Sequence, residues 1–279
     1  MNLLITGITG FFGTNFVEYL ISNKISCTIV GVAHSENRLA HFKKLFPGIK
    51  TYIIDFSINN LYDELDYIMN NHNINYIVHA AAMKHVDICQ ENPAATNKVN
   101  VIASEILIKV AKKNNVINAI GMSTDKCNDP CNIYGMSKQM MQNLFLSNNY
   151  SVYQGVNFFW STGSVLDMWF NQYVKGKPLS LRDDSHVRYF NTIDHVCKKI
   201  LTNLDVKNKI ILPDYAYVIK LADLLEAFCN YFNYHNIGLI KKYEFEKQIE
   251  TINHEYINKV VLSADQLIDL ISKVHKNML

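Results

Sequence analysis

Residues 6–13 read TGITGFFG, and this stretch decides the fold. The run NLLIT before it is typical of a buried strand, and GTNFVEYLISN after it has the apolar spacing of an amphipathic helix. Glycines spaced Gly-x-x-Gly-x-x-Gly between a strand and a helix let the backbone turn tightly and approach a dinucleotide's pyrophosphate. We therefore expect a dinucleotide-binding loop with contacts from Gly7, Thr9, Gly10, Phe11, Phe12 and Gly13.

Strand and helix patterns alternate through the first half of the chain, with further strands indicated by SCTIVGVA, KTYIID, NYIVHAAA and INAIGMS. This order predicts an α/β fold, a Rossmann-type doubly wound parallel sheet covered on both faces. Beyond about residue 150 the alternation weakens and helical patterns dominate. We predict a dinucleotide-binding domain at 1–155, to which 186–212 returns, and a smaller, mostly helical substrate-binding lobe at 156–279.

Composition narrows the class of protein. The chain has 279 residues, 49% of them hydrophobic, which allows a sizeable core and at most two domains. A net charge of +2 with scattered lysine pairs gives no reason to expect a nucleic-acid partner. Six cysteines without a C-x-x-C pair favour a reduced chain without a metal site. The first residues lack the basic region of a signal peptide, and no apolar run is long enough to span a membrane, so we expect a soluble cytoplasmic protein.

The stretch after the second predicted strand, VAHSENR, bears on which dinucleotide binds. An NAD site normally has an Asp or Glu here, which bonds the ribose hydroxyls. His34 and Ser35 stand there instead, with Arg38 close behind, although Glu36 could still reach the ribose. The pattern favours NADP over NAD. The residues expected at the adenine edge, after the third strand, are Asp55 and Phe56.

A second informative stretch is STDKCNDPCNIYGMSK, residues 123–138. Tyr134 and Lys138 are four residues apart, so they share a face if this segment is helical. A tyrosine with a pKa of about 10 is a poor base at neutral pH, and a neighbouring cation favours the phenolate. A lone Tyr-x-x-x-Lys is more often structural than catalytic, so the case depends on its context.

That context resembles the extended short-chain dehydrogenase/reductases. More narrowly, the chain is similar to the C5-inverting UDP-N-acetylglucosamine 4,6-dehydratases of the polysaccharide-biosynthesis group. The resemblance is carried by TGITGFFG, HAAAMKHVDICQENP, KVNV, STDK, NIYGMSK and VRYFNTIDHV, in the family's order.

The resemblance implies roles for single residues. Small side chains at Ala80, Ala81 and Ala82 would line the nicotinamide end of the cofactor site. Lys84 would reach the cofactor or the substrate diphosphate, and Asn100 would brace the active-site helix. Tyr134 and Lys138 would form the redox pair, with Lys138 also bonding the nicotinamide ribose.

The resemblance also implies a reaction, an oxidation at C4 of the sugar followed by loss of water across C5 and C6. Tyr134 would take the proton of the 4-hydroxyl, whose oxygen Thr124 would hold. Lys126 would remove the C5 proton, and Asp125 would protonate the departing 6-hydroxyl. Hydride would then return to C6, so that tightly bound NADP is recycled in each turnover, and reprotonation from the opposite face would invert C5.

The C-terminal part departs from the family pattern. In YQGVNFFWSTGS, Asn157 matches, whereas Gln154 and Thr162 replace arginines and Trp160 replaces a glycine. Losing arginines puts the diphosphate contacts in doubt, because a guanidinium binds phosphate through two parallel hydrogen bonds. The implied substrate contacts are Lys84, Thr124, Asn157, Arg188 and Glu246, with Lys247 as a further remnant of a family motif.

Alternatives remain open at this point. They are a sugar-nucleotide epimerase or reductase of the same superfamily, a UDP-glucose 4,6-dehydratase, and a catalytically idle NADP-binding module. The helical patterns VIASEILIKVAKK and YGMSKQMMQNLFL are apolar on more than one side. In this superfamily such helices pair with a second copy, so we expect a homodimer or a higher homo-oligomer.

Overall fold

The computed structural model describes residues 1–181, 185–238 and 257–276. The chain divides into two compact units. The first consists of residues 1–155 and 193–212, and the second contains the other described residues.

The first unit is built on a seven-stranded sheet with the order β3-β2-β1-β4-β5-β6-β9. All its strand pairs are parallel, as the alternating pattern predicts. The strands are β1 (Asn2–Thr6), β2 (Thr28–Ala33), β3 (Lys50–Ile53), β4 (Tyr76–His79), β5 (Asn118–Thr124), β6 (Ser151–Gly155) and β9 (Ile210–Ile211).

Helices connect these strands. They are α1 (Phe11–Ser22), α2 (Glu36–Leu45), α3 (Leu61–Asn71), α4 (Val86–Glu91), α5 (Pro93–Asn97), α6 (Ala103–Lys113), α7 (Ile133–Ser147) and α9 (Ile193–Thr202). A π-helical turn, Lys98–Ile102, leads into α6, and a 3₁₀ turn, Asp125–Cys127, follows β5. The predicted Rossmann-type doubly wound sheet is confirmed.

The strand order reverses between β1 and β4, which makes a switch point in the sheet. In open parallel sheets a ligand binds beyond the carboxyl ends of the strands at such a switch point. The strands beneath it are buried: Leu4, Val30 and Ile77 are fully inaccessible to solvent. Each such side chain contributes about 1.5–3 kcal/mol of burial free energy, so the loops stand on a rigid base.

The second unit contains a four-stranded sheet with the order β11-β10-β8-β7. Its aromatic core includes Trp169 and Phe228. We predicted a mostly helical lobe and did not predict this sheet, because its strands are only two to six residues long. The elements are β7 (Asn157–Phe158), β8 (Val187–Asn191), β10 (Tyr215–Lys220), β11 (Asn258–Val260), α8 (Val165–Val174), α10 (Leu221–Phe232) and α11 (Ala264–Lys276).

The segment that returns to the first unit is shorter than expected. It covers residues 193–212 rather than 186–212. The difference is β8, which pairs with β7 and β10 and therefore belongs to the second sheet.

Within the described part of the chain, no helix is both long and apolar enough to cross a bilayer.

Candidate active site

The glycine loop packs directly on the turn after β4. Gly7 has a φ of +70°, and a Cβ there would lie 2.8 Å from the backbone nitrogen of Ala81. A Cβ at Gly13 would lie 2.5 Å from the carbonyl oxygen of Gly7. Real Cβ atoms do not tolerate such distances from backbone, so both positions require glycine. The loop therefore takes the tight turn that a pyrophosphate needs.

The amino terminus of α1 suits an anion. Its N-cap is Gly10, which has no side chain to cap the helix. The first-turn N–H groups and the helix dipole together favour a negatively charged ligand. The side chain of Phe12 faces the core and stacks on Phe16 at 5.3 Å, so it anchors the helix, whereas the backbone faces the loop. These features fit a bound dinucleotide.

The residues proposed to select the cofactor lie just after β2. Ser35 caps α2, since its hydroxyl accepts a hydrogen bond from the Arg38 amide at 3.4 Å. His34 and Arg38 are exposed. They are therefore accessible to a ribose phosphate.

Asp55 and Phe56 differ in what they can offer at the adenine edge. The carboxylate of Asp55 accepts hydrogen bonds from the Ser57 amide at 2.9 Å and from its hydroxyl at 2.8 Å. Those bonds lower the pKa of Asp55. The ring of Phe56 is buried in the hydrophobic core, so its backbone rather than its ring is available to a ligand.

The loop after β4 is clamped at both ends. The backbone amide of Ala81 donates to the Thr6 hydroxyl at 3.2 Å. The side chain of Asn100 accepts from the Met83 amide at 2.8 Å and donates to the Met83 carbonyl at 3.0 Å. Ala82 stands between these anchors, and Lys84 follows as an exposed side chain.

The 3₁₀ turn holds a buried carboxylate beside an ammonium. Asp125 is 2% exposed, and its Oδ1 accepts from the Thr124 hydroxyl at 2.8 Å. The Lys126 Nζ lies 3.3 Å from the same oxygen. The second oxygen, Oδ2, is buried without a hydrogen-bond partner. A buried unsatisfied carboxylate oxygen is costly, so the position is suited to a ligand hydroxyl.

Tyr134 lies against this turn and hydrogen-bonds with the Thr124 side chain. Burial raises the pKa of Tyr134 to about 12, the Lys126 ammonium lowers it and the Asp125 carboxylate raises it. The sequence spacing predicts that Lys138 is the cation beside the tyrosine. In the structure, the ammonium that lowers the pKa of Tyr134 is that of Lys126.

Lys138 is instead directed beneath the end of the sheet. Its Nζ donates to the Met122 carbonyl at 2.7 Å, and the residue is 5% exposed. Burial lowers the pKa of Lys138 to about 8. A lysine with this pKa stays mainly protonated at neutral pH and can still donate to a further oxygen, as a ribose contact requires.

Two residues that sequence analysis did not single out set the start of α7. The Asn132 side chain caps the helix by accepting from the Gly135 amide at 2.8 Å. A Cβ at Gly135 would lie 2.5 Å from the Lys126 carbonyl oxygen, so glycine lets Tyr134 approach the 3₁₀ turn. An Asn three residues before a glycine in a helical pattern is a capping signal that could have been read from the sequence.

Hydrogen bonds of the Cys127 and Gln154 side chains also stabilise the 3₁₀ turn. The Gln154 amide donates to Cys127 Sγ at 3.0 Å and to the Asn128 side chain, and Cys127 donates to Gln142 at 3.3 Å. Burial raises the pKa of the Cys127 thiol, so it stays protonated. Gln154, which replaces a family arginine, is thus buried as a support of the turn.

The remaining predicted substrate contacts belong to the second unit or lie outside the described residues. The Asn157 amide donates to the Tyr189 carbonyl at 2.9 Å. The Arg188 guanidinium donates to the Val187 carbonyl at 3.1 Å and lies 3.4 Å from His186 Nδ1. Trp160, where the family has glycine, has a φ of +58°. Glu246 and Lys247 fall outside the described ranges.

Comparison with known proteins finds relatives among enzymes that act on nucleotide sugars. The inverting UDP-N-acetylglucosamine 4,6-dehydratase of Campylobacter jejuni is 26% identical over 250 residues, which cover 85% of this chain and 74% of the relative. The UDP-glucose 4-epimerase of Rickettsia canadensis is 32% identical over 206 residues, covering 68% of this chain and 59% of that protein.

Among solved structures, the dTDP-glucose 4,6-dehydratase of Streptomyces venezuelae with NAD bound has a TM-score of 0.81 and 17% identity, over 99% of this chain and 98% of that one. This likeness concerns the fold. A sequence model of the family described as polysaccharide biosynthesis protein matches residues 3–266. The resemblance read from the motifs is therefore confirmed, and the chain belongs to the polysaccharide biosynthesis protein family.

Proposed function

We propose that this protein is a UDP-N-acetylglucosamine 4,6-dehydratase that inverts C5 and uses NADP. The observation that carries the proposal is the buried Asp125 with its unpartnered oxygen, paired with Lys126 and adjoining Tyr134. A simple reductase needs a tyrosine and a supporting lysine. An elimination needs in addition an acid for the leaving hydroxyl and a base for the C5 proton, and this pair supplies both groups.

Each residue has a defined part in the proposed reaction. Tyr134 accepts the proton of the 4-hydroxyl, and the Thr124 hydroxyl bonds the same oxygen. Lys126 passes its proton to Asp125, 3.3 Å away, and as a neutral amine removes the C5 proton, while Asp125 protonates the 6-hydroxyl as it leaves as water. A proton delivered to the other face of C5 then inverts that centre. Lys138 binds and orients the nicotinamide ribose. When bound, the dinucleotide supplies a reversible hydride acceptor.

The first-unit loops support the choice of cofactor. The glycine loop and the amino terminus of α1 receive the pyrophosphate, and the loop at 80–82 receives the nicotinamide. His34, Ser35 and Arg38 offer donors and positive charge at the ribose, where NAD sites use an acid. Asp55 and Phe56 contribute at the adenine edge, the latter through its backbone.

The second candidate is a UDP-sugar 4-epimerase, favoured by the similarity to the Rickettsia canadensis protein. An epimerase returns hydride to C4 and does not lose water, so it has no use for an acid at C6. The buried Asp125 is the feature that separates the two reactions. A UDP-glucose 4,6-dehydratase would share the same site with a different sugar at C2.

We further propose that the protein works as at least a homodimer in the cytoplasm. Three apolar side chains, at the end of the π-helical turn and on α7, are exposed to solvent. These are Ile102, Met136 and Met140, with 42%, 45% and 52% of their surfaces accessible. A second copy packed on this face would remove them from water.

We expect turnover of UDP-N-acetylglucosamine without net consumption of dinucleotide, because hydride leaves C4 and returns to C6. Incubation of the purified protein in deuterated water, followed by NMR, should show a 4-keto-6-deoxy sugar with deuterium at C5. Its C5 configuration reports inversion. A product that keeps its 6-hydroxyl and has the opposite configuration at C4 would identify an epimerase instead.

Arg38→Ala should weaken NADP⁺ binding about tenfold, which is the size of one charge-assisted hydrogen bond, and leave NAD⁺ binding unchanged. Isothermal titration with both dinucleotides measures the ratio. Lys43→Ala, which removes a cation from the last turn of the same helix, serves as the control. Equal losses for both dinucleotides would refute the role of Arg38 at a ribose phosphate.

A further inference from the structure

His79, the last residue of β4, joins two strands and a helix below the proposed site. It is 1% exposed. Its Nδ1 lies 2.7 Å from the Thr6 hydroxyl, and its Nε2 lies 3.0 Å from the Ser104 hydroxyl. The ring stacks on Phe145 at 5.9 Å, which holds its plane.

The hydrogen bonds of Ser104 and Thr6 with other residues determine which atom is the donor in each hydrogen bond of His79. Ser104 donates its only hydroxyl proton to the Asn100 carbonyl at 2.8 Å, so it accepts from His79 Nε2. His79 is then an acceptor at Nδ1 and receives the proton of Thr6, whose oxygen accepts from the Ala81 amide. Burial lowers the pKa of His79 to about 3, with Lys138 acting in the same direction, so the neutral tautomer persists at neutral pH.

The chain of hydrogen bonds that begins at His79 continues through Asn100 to Tyr134. The side chain of Asn100 donates to the Ser137 hydroxyl at 2.9 Å. Ser137 in turn donates to the backbone carbonyl of Tyr134 at 2.8 Å. The π-helical turn that contains Asn100 lets its carbonyl receive Ser104 while its side chain faces Met83 and Ser137.

We propose that His79 is a positioning residue that sets the loop at 80–83 and the Tyr134 backbone in register with each other. It acts at a distance through two arms. One arm runs through Thr6 to the Ala81 amide, and the other runs through Ser104, Asn100 and Ser137 to Tyr134. Loss of the ring would leave the Thr6 hydroxyl proton without its acceptor and the Ser104 oxygen without its donor, which loosens both arms. The inference rests on the proposed function only for its expectation of a dinucleotide at this loop.

The test replaces His79 by leucine, which fills a similar volume without polar atoms. We expect NADP⁺ affinity to fall about tenfold, the usual effect of one buried hydrogen bond left unmade. The ¹³Cζ resonance of Tyr134, assigned by its loss in Tyr134→Phe, should shift in the dinucleotide-free protein. With UDP-N-acetylglucosamine, kcat should fall more than KM changes.

Partial variants separate the two arms. His79→Asn places an amide near Nδ1 and should retain NADP⁺ affinity, whereas His79→Gln reaches towards Ser104 and should retain the Tyr134 resonance. His72→Leu is the matched control. His72 is a half-buried histidine that bonds the Tyr52 hydroxyl at 2.7 Å and does not belong to the hydrogen-bond chain of His79. If His79→Leu does not fold, Thr6→Val and Ser104→Ala each cut one arm.

The outcomes are distinct. Wild-type NADP⁺ affinity together with an unshifted Tyr134 resonance in His79→Leu would overturn the proposal, as would equal changes in His72→Leu. A protein that lacks dehydratase activity but shows both shifts would disprove the proposed function and keep this inference. If the wild type does not bind NADP⁺, the shift of the Tyr134 resonance in His79→Leu is by itself the test of the role of His79.

Discussion

Lys126→Ala should lose dehydration by about two to four orders of magnitude, the usual contribution of a general base. Binding of dinucleotide and UDP-sugar should persist, because neither depends mainly on that ammonium. Deuterium exchange at C5 should fall in parallel with turnover. Rapid mixing with UDP-N-acetylglucosamine should still show a transient reduced-nicotinamide absorbance, because oxidation at C4 precedes the blocked step.

The structure adds a second consequence of this substitution. The Lys126 ammonium lowers the pKa of Tyr134, so its removal raises that pKa further and slows proton removal from the 4-hydroxyl. The transient should therefore form more slowly than in the wild type, and its rate should increase with pH. Tyr134→Phe, which keeps the ring and removes only the hydroxyl, should show no transient at any pH.

Lys113→Ala is the control, since that lysine pairs with Asp66 at the surface at 2.6 Å. It should behave as the wild type in both measurements. If Lys126→Ala turned over at the wild-type rate with normal C5 exchange, the Asp125–Lys126 pair would be structural and the dehydratase proposal would fail.

Gly135→Ala should reduce turnover about 100-fold, because a displacement of about 1 Å at a catalytic group has an effect of this size. The added Cβ would lie 2.5 Å from the Lys126 carbonyl oxygen and 3.2 Å from Pro130 Cβ. No side-chain rotation relieves a clash with a backbone oxygen, so α7 must move away from the 3₁₀ turn. Tyr134 then separates from Thr124 and Asp125.

The free energy of unfolding of the same variant should fall by no more than about 2 kcal/mol. Alanine gains about 1 kcal/mol over glycine in a helix, whereas overpacking costs about 1–3 kcal/mol. Thermal unfolding and steady-state kinetics on one sample therefore separate misplacement from unfolding. Gly48→Ala is the control, since a Cβ there meets nothing within 4 Å. Full activity in Gly135→Ala would mean that the contact between helix and turn is unimportant for the site.

The glycine loop and the order of strands could be predicted because both are local properties of the sequence. Apolar periodicity reports which face of an element is buried, and the spacing of Gly7, Gly10 and Gly13 reports a turn that side chains would block. The motif residues Thr124, Asp125, Lys126 and Tyr134 were also recognisable, since their short spacing is kept by the turn and helix that carry them. The short strands β7 and β11 were missed because two or three residues show no period.

The sequence by itself determined the sheet, the glycine loop and the residues that form the candidate site. Only the tertiary structure decided how those residues act on one another. It placed Lys126 rather than Lys138 where it lowers the pKa of Tyr134, and it buried Asp125 with one oxygen unpartnered. It also joined His79 to residues 73 positions before it and 25 after it. Charge coupling and burial depend on distances through space, and residues far apart in the chain set those distances only when the sheet assembles.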